Sequence, residues 1–120
     1  MIQRSLAALG WIGLAFIIYV TLCPLESRPQ VAAAVHWEHF GAFAVIGFAL
    51  AVGHPRRLGL VILVVMGSAL ILELMQLLTV DRHARLIDAL VKEAGGVVGI
   101  VMGRFACALA QLRSALASRG

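Results

Sequence analysis

The chain has 120 residues, of which 62% are hydrophobic and 13% charged, with a mean hydropathy of +0.98. A soluble globular domain carries roughly 45–50% apolar and about 25% charged residues, so this composition excludes an ordinary soluble fold and points to a membrane protein. The net charge of +4 reads as membrane topology and attraction to anionic lipid, and no nucleic-acid partner is expected.

The apolar residues form four blocks of about the length that crosses roughly 30 Å of hydrocarbon as a helix. The first, residues 6–23, carries no charge from Leu6 to Cys23 and is closed by Pro24, whose missing N–H and fixed φ disfavour continuation. Its run exceeds the roughly 7–15 apolar residues of a signal peptide and no small-residue cleavage site follows, so it is read as a retained span. Leucine directly before the cysteine in "VTLC" is wrong for a lipid-attachment box. The second block, 31–53, follows Pro29, which suits a first helical turn, and ends at Gly53 ahead of Pro55. The third, 58–80, is interrupted only by Glu73 and Gln76. The fourth, 88–110, is the least clean, since it contains Asp88, Lys92, Glu93 and Arg104.

These blocks predict an all-α membrane protein, one domain over residues 1–120 built as a four-transmembrane-helix bundle. Lys and Arg in short loops are retained on the cytoplasmic side. With four spans, Arg4, Arg56, Arg57, Arg113 and Arg119 share a side, and Arg104 reaches it by snorkelling. Arg28, Arg82 and Arg85 lie opposite, so both termini are expected to be cytoplasmic. Cys23 then falls near the outer face and Cys107 near the inner one, with no disulfide between them.

The stretch "HWEHFGAF", residues 36 to 43, stands out in this setting. His36, Glu38 and His39 lie in the outward part of the second span, Glu73 and Gln76 in the outward third of the third, and Arg82, Arg85 and Asp88 in the outer loop and the start of the fourth. An ionisable side chain at the centre of the hydrocarbon costs at least about 2.5–3.5 kcal/mol, and such residues usually face a bundle interior, paired, at a functional site. Convergence at one level therefore predicts a polar site made by His39, Glu73, Gln76, Arg82 and Asp88, with His36, Glu38, Arg85 and Lys92 at its rim. Gln76 lies one turn from Glu73 on the same face, and Ala69, four residues before Glu73, keeps that face slim. Asp88, Lys92, Gly95, Gly99 and Gly103 form one stripe on the fourth helix. Its glycines let a neighbour approach backbone to backbone, while Asp88 and Lys92 can pair at the seam. His36 and His39 do not complete a metal-ligand set, "HWEH" is not the zinc-protease HExxH, and no metal or cofactor is expected.

An ordered set of motifs carries a family resemblance. The loop "CPLESRP", then "EHFGAFAVIGF", "ELMQLL", "RHARLIDAL" and "EAGGVVG", together spanning about residues 22 to 103, resemble the VanZ-like family of small bacterial membrane proteins. By that resemblance the family's histidine falls on His39, its glutamate and glutamine on Glu73 and Gln76, its arginine on Arg82 and its aspartate on Asp88. Val35 and His36 stand where the family often has Asp-Lys, Val80 and Asp81 where it often has Pro-Gly, and Lys92 where it often has asparagine. The resemblance implies one VanZ-like domain in the bacterial inner (plasma) membrane, multi-pass. It also implies a link to the cell envelope, because the founding member is associated with low-level teicoplanin resistance. The expected function is an outer-leaflet site that binds or processes a cell-envelope precursor or lipid-linked head group. The alternative is a non-enzymatic membrane scaffold whose polar cluster is structural and which docks partner proteins. Membrane lipid is the expected partner on either reading.

Overall fold

A computed structural model describes residues 1–22, 32–76 and 83–120, and these are almost wholly helical, with no strand among them. The helices are α1 (Ile2–Leu22), α2 (Ala32–Gly53), α3 (Leu58–Gln76) and α4 (His83–Ala117). Segments of α1 (Ile2–Tyr19), α3 (Leu58–Met75) and α4 (Leu86–Ala117) are long and apolar enough to cross a membrane. α2 matches them in length at 22 residues, and its head carries His36, Glu38 and His39.

Glycines determine how closely the helices approach. A Cβ on Gly53 would come within 2.7 Å of the Ala7 backbone, Gly10 faces Leu50, and Gly13 faces Ile46. Because the numbers fall on α2 as they rise on α1, the two helices are antiparallel. On α4 the order is reversed: Gly95 lies against the Phe40 carbonyl, Gly99 against that of Ala44, and Gly103 against Phe48 and Ala51. Each step of four on α4 meets a step of four on α2, so these helices run parallel with their backbones touching. Small residues at such spacing permit this approach, and in lipid the packing itself drives association. Gly47 returns the contact from α2, where a Cβ would sit 2.7 Å from the Gly96 carbonyl.

The four-residue connection His54–Arg57 is closed by a turn in which Arg57 N–H donates to the His54 carbonyl at 3.0 Å. It folds α3 back antiparallel to α2, and Val65 and Met66 of α3 close over Gly96 of α4. The core between the helices is made by Leu14, Phe43, Leu50, Val65, Leu72 and Ile100. Many other large apolar side chains, Phe16, Val45, Leu63 and Val101 among them, face outward, as a hydrocarbon solvent allows.

Two helices differ from the sequence expectation, while residues 77–80, expected to complete the third span, lie outside the described residues. α1 begins earlier, taking in Gln3 and Arg4. α4 covers 35 residues rather than the expected 88–110. At about 1.5 Å per residue it is roughly 52 Å long, well beyond the thickness of the hydrocarbon. Its last turns, "CALAQLRSALA", are rich in strong helix formers, with neither Gly nor Pro to stop them, so the helix continues past the point where membrane thickness alone would end it.

Candidate functional site

The parallel seam between α2 and α4 positions the first polar contact. Lys92 stands three residues before Gly95 and Asp88 four residues before Lys92, so the stripe that presses its glycines onto α2 carries both charges along the same face. Gly95 meets α2 at Phe40, next to His39. His39 Nδ1 therefore lies 2.6 Å from Asp88 Oδ1, across 49 positions of sequence. The other carboxylate oxygen, Oδ2, lies 2.5 Å from Lys92 Nζ, one turn along α4. Both oxygens of Asp88 are thus engaged, one between helices and one within a helix.

Burial is graded along this chain. The Lys92 side chain is fully buried, that of Asp88 is 13% exposed and that of His39 25%. Lys92, expected at the rim, is instead the deepest member, because its stem follows the glycine stripe into the bundle. Among the described residues its ammonium meets Asp88 as an ion pair and makes no hydrogen bond. In a hydrogen bond from His39 to a carboxylate at Asp88, Nδ1 is the donor and Nε2 is the ring's other, acceptor nitrogen in that tautomer.

Glu73 reaches the same level from α3. From the contact of Val65 with Gly96, eight residues along α3 lead to Glu73 and eight along α4 lead to Asp88. At about 1.5 Å per residue, and with the helices antiparallel, both carboxylates lie about 12 Å from that contact toward the same end. Glu73 is 5% exposed and takes part in a polar interaction of its own. It follows Ala69, which is fully buried where the slim face of α3 was expected.

Of the other expected site residues, Gln76 closes α3 and Arg85 lies in the first turn of α4, but their side chains, and the whole of Arg82, lie outside the described residues. His36 is half-buried one turn before His39, and Glu38 is exposed. Trp37 is also exposed and meets Phe40 edge-on, with ring centroids 6.1 Å apart. Among the described residues no three His, Cys, Asp or Glu side chains come together as metal ligands.

The arrangement can do two things chemically. It can present an imidazole, oriented by a carboxylate, at a partly open end of the bundle, and it can pin α2 to α4 through a buried ion pair. Sequence reasoning grouped His39 with Asp88 in one polar cluster and Asp88 with Lys92 on one stripe, and the structure brings these three together. What it did not give is the direct contact of His39 with one oxygen of Asp88, which depends on α4 packing parallel to α2. Comparison with protein families, curated proteins and solved structures finds no match to this chain.

Proposed function

We propose that this chain is a VanZ-like protein of the bacterial inner membrane. On this reading its polar end faces the outer leaflet and binds the polar head of a lipid-linked cell-envelope molecule. The observation that carries it is the graded chain Lys92–Asp88–His39, buried at one end and open at the other. A purely structural ion pair needs no third, partly exposed member able to exchange a proton. Here the buried pair orients an imidazole whose Nε2 is the acceptor, an arrangement suited to receiving a hydroxyl or acidic proton from a head group. Arg82 and Arg85 would supply the positive charge that a phosphate or carboxylate requires, and Glu73 and Gln76 would align the group between them. The family motifs fall on the same positions, which ties the site to the envelope and to glycopeptide sensitivity.

The full burial of Lys92 favours a second reading, in which the cluster is structural and the protein is a membrane scaffold that docks partner proteins. Point variants separate the two in a bacterial host whose teicoplanin sensitivity the wild-type chain changes. His39→Gln, Glu73→Gln and Arg82→Ala should accumulate in the membrane at wild-type levels yet lose the phenotype. Loss of accumulation in step with the phenotype would support the scaffold, and a wild-type chain that leaves teicoplanin sensitivity unchanged would remove the envelope assignment.

A further inference from the structure

The end of the bundle opposite His39 and Asp88 holds a second concentration of charge, all of one sign. Where α1 begins, α2 ends and α4 leaves the bundle, a cavity of about 620 Å³ opens among Gln3, His54, Arg56, Arg57, Arg104 and Gln111. No carboxylate lines it, and the described acids Glu38, Glu73, Asp88 and Glu93 all lie toward the other ends of their helices. Three guanidinium groups thus share one cavity without a counter-charge among the described residues.

The walls are held by specific contacts. Arg104 Nη1 donates to the Pro55 carbonyl at 2.6 Å, which ties α4 to the connection between α2 and α3 and leaves the remaining N–H groups of that guanidinium for another acceptor. His54 bonds through Nδ1 to the Leu50 carbonyl at 3.3 Å, and its ring stands perpendicular to that of Trp11 with centroids 6.2 Å apart. Gln3 and Gln111 add amide donors from α1 and α4. Arg56 and Arg57 stand just past the apolar run of α2, where a helix that spans a bilayer would leave hydrocarbon for lipid phosphate.

We infer that this cavity seats the phosphate of an anionic lipid head group. Clustered arginines in a basic cavity between spanning helices suit a phosphate on charge, and their planar forks match its oxygens in pairs. A zwitterionic head group brings its own cation into an already positive cavity and gains less.

Trp11, in contact with His54, reports on occupancy. In a Trp37→Phe background it is the sole tryptophan of the full chain, and lipids with brominated acyl chains quench it on close approach. In nanodiscs, brominated phosphatidylglycerol diluted into phosphatidylcholine should quench Trp11 at a severalfold lower mole fraction than brominated phosphatidylcholine diluted into phosphatidylglycerol. Each arginine lost near a lipid surface weakens binding about fivefold, so the pair Arg56→Gln and Arg57→Gln should abolish the preference and bring the two quenching curves together. Helix content by circular dichroism should stay unchanged, and the corresponding lysine pair should retain most of the preference. Equal quenching by the two lipids would overturn the inference, as would a preference that survives the glutamine pair. Displacement of phosphatidylglycerol by millimolar inorganic phosphate would assign the cavity to free phosphate instead.

Discussion

Asp88 engages the His39 ring with one oxygen and pairs ionically with Lys92 through the other, so its removal affects two helices at once. A buried pair and the loss of one partner from it have different energetics. Taking two ions out of water costs several kcal/mol each, and well-formed pairs often only break even, whereas a buried charge stripped of its partner costs about 3–5 kcal/mol. Asp88→Asn should therefore destabilise the protein by about that much, since the fully buried Lys92 loses its counter-ion while the amide oxygen still accepts from His39. The double variant Asp88→Asn with Lys92→Met should recover most of the loss, because the methionine fills the same apolar seam without charge. Thermal unfolding in detergent, followed by tryptophan fluorescence, checks both. A double variant no more stable than Asp88→Asn would show that the lysine charge is not what makes the single change costly.

At the scale of elements, the joint between α2 and α4 tolerates no additional atoms at three successive positions. A methyl group on Gly99 would run into the Ala44 carbonyl and one on Gly95 into that of Phe40, both backbone oxygens that cannot swing aside. Gly99→Ala should cost about 1–3 kcal/mol as the helices are forced apart, and Gly99→Leu should lower the folded yield outright. Gly67, with nothing near its Cβ position, is the control: Gly67→Ala should be neutral or gain up to about 1 kcal/mol of helix propensity, read in the same melting experiment. The small-residue stripe was legible in the sequence because its spacing needs no partner to be seen, and so were the four apolar blocks. The place of Lys92 was legible in part: the stripe put it at the seam, but nothing in the sequence set it deeper than Asp88 and His39, because the spacing gives a face and not a depth. The length of α4 was missed for a related reason. Membrane thickness sets a lower limit on a spanning helix and does not determine where it stops.

Over the whole molecule, the described acids lie toward one end, that of His39 and Glu73, and six of the arginines, Arg4, Arg56, Arg57, Arg104, Arg113 and Arg119, toward the other. Because short basic loops resist translocation, the arginine-rich end should be cytoplasmic, and with it both termini. A reporter fused after Gly120 should be active when it requires the cytoplasm and silent when it requires export, and the opposite result would invert the topology. The parallel pairing of α2 with α4 also has a consequence for biogenesis. His39 leaves the ribosome 49 residues before Asp88, which at about 5–20 residues per second is a delay of roughly 2–10 s. Through that interval the second helix has no partner for its imidazole and cannot settle into lipid at full depth without the penalty of an unpaired polar group. A nascent chain arrested before Asp88 should therefore leave this imidazole to water, and the joint between the second and fourth helices closes only once the last helix has been made.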